Sequence, residues 1–272
     1  MVLINGQACD SISVLDRGLN YGDGVFRTLK ISNGNAIFWE RHYRKLVSDC
    51  NALAIAPPTR QDFESDLRII TRAESHCVLK IIVTRGCSTR GYGAVKTAKA
   101  TRVFITSSVA DIPEGNYRLG VKVRLCKTRL AIQPALAGIK HLNRLENVLA
   151  RSEWDNPNIA EGLMLDYDGN VIEGTMANLF VVVNNGLITP DLTRCGVAGI
   201  QRERVIEFAK VQGIQCVVRN IDVDDVLAAD EMFLVNSVVG LWPVREFLDG
   251  KWDVSKLVIS NNASQWLDDQ DH

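Results

Sequence analysis

The sequence predicts an α+β protein, and three observations carry that expectation. Strand-like and helix-like segments interleave without the regular strand–helix–strand repeat of a doubly wound sheet. Tight-turn residues separate apolar runs at Asn33-Gly34, Asp168-Gly169 and Asn184-Asn185-Gly186, the mark of antiparallel hairpins. With 272 residues, 46% of them hydrophobic, the chain can bury a large core in one large domain or two modest ones.

Taken in order, residues 2–38 carry β signals. The run Val25 to Ile31 partly alternates and stops at Asn33-Gly34, so two strands are expected to pair there. Residues 40–53 place Tyr43, Leu46, Val47 and Cys50 at helical spacing; Pro57-Pro58 closes that helix and Thr59 is the expected N-cap of the next. Segments 78–85 and 101–107 are rich in β-branched residues and read as strands, separated by a Gly-rich, basic loop at 86–99 long enough to carry function. Between 110 and 115 the apolar pattern lapses and Pro113 and Gly115 appear, which sets an expected boundary between a smaller N-terminal domain, 1–112, and a larger C-terminal domain, 113–272.

Beyond that boundary come a strand at 119–126 and a helix from Leu142, whose apolar positions are Leu142, Leu145, Val148 and Leu149. A strand at 162–166 returns through 170–173, and strands at 178–183 and 187–189 form a second hairpin. A helix at 201–211, a strand at 216–221, an acidic helix at 223–229, a strand at 231–235 and a terminal helix around 255–267 complete the chain.

Composition narrows the function. The formal net charge is −1, with 31 basic and 32 acidic residues, so no global attraction to nucleic acid or anionic membrane exists and any anion site is local. No apolar run approaches a membrane span, and the N-terminal residues lack the pattern of a secretory signal, so a cytoplasmic protein with a small-molecule substrate is expected. The seven cysteines include no CxxC pair and read as reduced packing residues. His42, His76, His141 and His272 have no metal-ligand spacing, and HExxH, GxSxG and Walker motifs are absent; no metal is expected.

The stretch 136–151, LAGIKHLNRLENVLAR, singles out one lysine. Lys140 follows Gly138 and Ile139 and stands at the expected helix entrance, where an apolar bed for its stem would desolvate the amine and favour its neutral, nucleophilic form. Judged by local sequence, a solvated surface lysine is the commoner case.

That run closely resembles the fold-type IV pyridoxal-phosphate enzymes, and within them the aminodeoxychorismate lyases. So do Asp16-Arg17-Gly18, Tyr21 to Phe26, Arg85-Gly86, Arg90-Gly91-Tyr92, Glu173-Gly174-Thr175, Asn178-Leu179-Phe180 and Ala198-Gly199-Ile200. The resemblance implies a two-domain, D-amino acid aminotransferase-like fold, pyridoxal 5'-phosphate as cofactor, and a homodimer. It implies that Lys140 holds the cofactor aldehyde, that Glu173 faces the ring nitrogen, and that Gly199, Ile200 and Ser237 meet the phosphate. Lys45 stands in His42-Tyr43-Arg44-Lys45-Leu46 where many relatives have a phosphate-binding arginine, with Arg41 and Arg44 as alternatives. Arg90 and Tyr92 match positions that hold substrate carboxylate in the aminotransferase branch, although Phe26 and Tyr92 depart from that branch's tyrosine and histidine. The implied reaction converts 4-amino-4-deoxychorismate to 4-aminobenzoate and pyruvate. The alternatives are a D- or branched-chain amino acid aminotransferase and, from another class, a non-catalytic cofactor carrier.

Overall fold

The structure is a computed structural model describing residues 1–93, 98–109 and 113–269. Part of the expected functional loop, 94–97, and residues 110–112, on the N-terminal side of the expected 112/113 boundary, lie outside the described residues. The chain forms two compact units: Met1–Ala110 with Ile139–Asn143, and Asp111–Gly138 with Arg144–His272. Lys140 thus belongs to the first unit, whereas the sequence reading put it in the C-terminal domain; five residues from the second half of the chain pack with the first.

The first unit contains β1 (Val2–Ile4), β2 (Gln7–Ala8), α1 (Arg17–Tyr21), β3 (Gly24–Ser32), β4 (Asn35–Ala36), α2 (Trp39–Ala52), α3 (Arg60–Ala73), β5 (Cys77–Thr84) and β6 (Thr101–Ser107). The strands make one antiparallel sheet in the order β2-β1-β6-β5-β3-β4. In β3 burial alternates, with Val25, Arg27, Leu29 and Ile31 inward, as a period of two demands. Asn33 and Gly34 both take positive φ, 50° and 73°, which suits the two-residue hairpin expected there. Thr59 caps α3 in a reciprocal capping box with Asp62. On α2 the buried positions are His42, Leu46, Asp49 and Cys50, so two polar residues share the core-facing stripe.

The second unit contains α4 (Gly115–Arg118), β7 (Val121–Leu130), α5 (Leu145–Arg151), β8 (Ile159–Asp166), β9 (Val171–Gly174), β10 (Asn178–Val183), β11 (Gly186–Pro190), α6 (Ile200–Gln212), β12 (Cys216–Arg219), α7 (Val223–Leu227), β13 (Glu231–Asn236), β14 (Gly240–Phe247), β15 (Gly250–Lys251), a 3₁₀ turn (Val254–Lys256) and α8 (Val258–Asp269). Its sheet runs β12-β11-β10-β13-β14-β7-β8-β9, with β15 on β14. The sheet is mixed, with parallel pairs at β11/β12, β14/β7 and β7/β8. Both faces are covered: Leu179, Val181, Met232 and Leu234 enter one core, while Phe180, Val182, Phe233 and Val235 enter another beneath α6 and α8. β14 is absent from the sequence reading because Pro243 sits in a central strand, a place proline rarely occupies.

Two further expectations are corrected. The helix after the lysine begins at Leu145 rather than Leu142, and Leu145, Val148 and Leu149 are 68%, 57% and 54% exposed instead of buried. Of the seven free cysteines, Cys50, Cys77, Cys126 and Cys195 are packing residues as expected, but Cys9 and Cys87 are exposed.

Candidate active site

In the first unit, strand pairing holds Lys140. Phe26 N–H donates to the Lys140 carbonyl at 2.9 Å, and Leu142 N–H donates to the Gly24 carbonyl at 2.9 Å. This antiparallel pairing lays the segment alongside β3 as extended chain, and the helix begins only at Leu145. Gly24 permits the approach, since a Cβ there would fall 2.8 Å from Leu142 Cδ1 and 2.5 Å from the Val83 carbonyl oxygen. Lys140 Nζ lies 4.9 Å from the centroid of the Phe26 ring, and Lys80 Nζ lies 5.0 Å from the same centroid.

Beneath this segment α2 supplies Asp49, which is 1% exposed. Its Oδ2 accepts from Arg27 Nη2 and from the Lys140 backbone N–H at 3.3 Å; its Oδ1 accepts from Lys45 Nζ at 2.6 Å. Neighbouring His42 is kept neutral: burial, then the charges of Arg27 and Lys140, push its pKa down to about 3. Asp49 and Arg27 were missed in the sequence because buried charges carry no periodicity signal; the Lys45–Asp49 spacing of four was the available clue.

In the second unit, Glu173 stands on β9 and is 4% exposed. Its Oε2 accepts from the Val197 backbone N–H at 2.9 Å and from Asn178 Nδ2 at 3.3 Å. Asn178 also donates to the Val197 carbonyl at 2.8 Å and accepts from the Gly199 N–H at 3.1 Å, so one side chain ties the glutamate to the loop that opens α6. Gly199 is required: a Cβ would lie 2.3 Å from Asn178 Oδ1. With the Gly199 N–H engaged, the N–H groups of Ile200 and the following residues form the open, positive end of α6. Asn178 pairs with Val235 across β10 and β13, so Ser237, two residues past Val235, stands at the same end of the sheet. Gly138, two residues before the lysine in sequence, donates to the Gly196 carbonyl at 2.9 Å and accepts from the Ala198 N–H at 3.2 Å.

The turn after Glu173 has its own support. Glu161 is fully buried, and burial raises its pKa against the hydrogen bonds it accepts from Thr175 and Met176. The Cys195 thiol, pushed up to about 12 by burial, is inert.

Arg90 and Tyr92 lie on the loop after β5, both exposed, Tyr92 by 86%. Arg17 fixes this loop by donating to the Gly91 and Tyr92 carbonyls at 3.0 and 2.9 Å. Asp23 joins Arg17 to Arg85 at 2.8 and 2.7 Å; burial raises its pKa, but these two arginines outweigh burial and hold it below the ordinary carboxylate range. The Tyr92 ring rests 5.3 Å from that of Tyr21.

Each unit by itself holds groups of the kind pyridoxal phosphate calls for: the first a lysine and a second ammonium, the second a buried carboxylate and, separately, a helix start opened by a glycine. No cluster of metal-ligating side chains occurs among the described residues. Residues 24–247 match the family model described as Amino-transferase class IV. The chain belongs to that family. Within the class IV family, it is 35% identical over 248 residues, 90% of each chain, to the aminodeoxychorismate lyase of Vibrio harveyi. A crystal structure of 4-amino-4-deoxychorismate lyase from Pseudomonas aeruginosa aligns with a TM-score of 0.92 and 41% identity, covering 99% of this chain and 97% of that one. A putative branched-chain-amino-acid aminotransferase of Methanocaldococcus jannaschii is 30% identical, covering 92% of this chain and 88% of its own length. The expected α+β, fold-type IV architecture is therefore the observed one.

Proposed function

We propose that this chain is a pyridoxal-phosphate-dependent aminodeoxychorismate lyase, converting 4-amino-4-deoxychorismate to 4-aminobenzoate and pyruvate in folate synthesis. The observation that carries this reading is the near-complete match to the Pseudomonas aeruginosa lyase, at 41% identity and a TM-score of 0.92. The lyase of Vibrio harveyi supports it at 35% identity.

Each residue then has a task. Lys140 would hold the cofactor aldehyde, and its neutral amine, when free, would take the proton from the amine-bearing carbon of the substrate. Bound pyridoxal phosphate supplies the electron sink for the charge left behind. Glu173, oriented by Val197 and Asn178, meets the ring nitrogen. Gly199, which has no side chain to block the helix start, would let the phosphate approach, Ile200 would offer its backbone N–H, Ser237 a hydroxyl and Lys45 an ammonium. Arg90 and Tyr92 receive the substrate's carboxylate side. Loss of the enolpyruvyl oxygen would make the product ring aromatic, so elimination would run one way, and no second substrate would be needed.

Cofactor and substrate are soluble metabolites, which fits a cytoplasmic enzyme, and no described helix is long and apolar enough to cross a membrane. A homodimer fits the exposed apolar face of α5, where Leu145, Val148 and Leu149 line one side and invite cover by a second copy.

The 30% identity to a putative aminotransferase keeps one rival in view. The two part on stoichiometry. The lyase yields equal 4-aminobenzoate and pyruvate over many turnovers without added keto acid, and Arg90→Ala raises KM for it. Arrest after one turnover, relieved by 2-oxoglutarate, would assign the chain to the aminotransferases.

A further inference from the structure

The cluster around Asp49 gathers two cations and one backbone donor on a single buried carboxylate. Arg27 and Lys45 both bond to Asp49, and His42 beside them is neutral. Burial sorts the two cations. The Arg27 side chain is 2% exposed and cannot leave Asp49 to meet a ligand; the Lys45 side chain is 24% exposed and can present its ammonium. The same carboxylate also receives the backbone N–H of Lys140 at 3.3 Å, the residue whose carbonyl is fixed on its other side by Phe26.

We propose that Asp49 is a positioning residue that sets the spacing between the ammonium of Lys45 and the backbone of Lys140, so that one cofactor molecule is met at its phosphate and at its aldehyde together. This rests on the reading of Lys140 as the cofactor lysine. The physical reason lies in the ligand: a rigid aromatic ring fixes the distance between those two groups, so an enzyme that attaches both gains only if its own two groups are held apart by the matching distance. Asp49 does so from a single turn of α2, since Lys45 and Asp49 are four residues apart on one face. Arg27 supplies a buried counter-charge to Asp49.

The test compares pyridoxal phosphate with pyridoxal, which lacks the phosphate, on the full-length apoprotein, reading affinity and the rate at which the visible lysine-linked band develops. In the parent, the ratio of the two affinities measures the phosphate contribution. Asp49→Asn keeps the shape and removes the charge; it is expected to lower that ratio roughly tenfold and to slow band development with both aldehydes. Lys45→Ala should lower the ratio alone and leave the pyridoxal rate unchanged, and combining it with Asp49→Asn should lower the ratio little further, because the two act on one contact. Should Asp49→Asn fail to fold, Arg27→Met with Asp49→Leu removes both buried charges together and must show the same two losses. A parental ratio and parental rates in either folded variant would overturn the role of Asp49. A parent protein that forms no band at all would overturn the assignment of Lys140 instead.

Discussion

The two units each bury a carboxylate at the heart of their candidate site, and the two carboxylates keep different company. Asp49, in the first, is surrounded by full positive charges on Arg27 and Lys45 and by one backbone N–H. Glu173, in the second, is met by neutral donors, the N–H of Val197 and the amide of Asn178. Cations answer a carboxylate's charge as well as fixing its place; neutral backbone and amide dipoles orient a carboxylate through hydrogen bonds. The first arrangement suits holding a phosphate near a lysine, and the second suits meeting a protonated ring nitrogen.

The largest effect expected from breaking this division falls on Glu173. Glu173→Gln keeps the size and the contacts to Val197 and Asn178 but removes the charge, so cofactor binding should persist while turnover falls roughly 10²-fold or more. Steady-state kinetics beside a cofactor titration checks this, and near-normal turnover would show that the ring nitrogen is served by another group.

A smaller effect concerns stability, and it belongs to the charged cluster alone. His42 has its pKa lowered from 6.5 to about 3 by burial and by the neighbouring cations. Its native form is neutral, while in the unfolded chain it takes up a proton below its ordinary value; the unfolded state then binds more protons, so stability is full above pH 6.5 and is lost as pH falls toward 3. Replacing His42 by Gln should flatten that part of the acid-unfolding profile by on the order of 1–4 kcal/mol between those limits. Chemical denaturation at a series of pH values is the check; an unchanged slope would mean that His42 is protonated in the native state.

How much of this was legible in the sequence follows from what kind of physics each feature uses. Hairpins at Asn33-Gly34 and Asp168-Gly169 and the Thr59 cap of α3 are local, and they stand where turn and cap chemistry put them. The helix start after Lys140 was misread because residues 140–142 pair as extended chain with β3, a partner more than a hundred positions earlier that periodicity cannot see. The exposed face of α5 was misread for the related reason that an apolar stripe reports a buried face without saying what buries it. Lys140, Glu173, Gly199 and Ser237 could be named only through family resemblance. Asp49 and Asn178, the side chains that orient two of them, emerged from hydrogen-bond geometry.

The account turns on Lys140 being the residue that holds the cofactor. Incubation with pyridoxal phosphate, reduction with borohydride and mass mapping of the tryptic peptides tests that directly. The account predicts one reduced cofactor per chain, carried on the peptide containing Lys140, and none in Lys140→Ala; a label fixed on Lys45, on Lys80 beside the same Phe26 ring, or on any other lysine would contradict it.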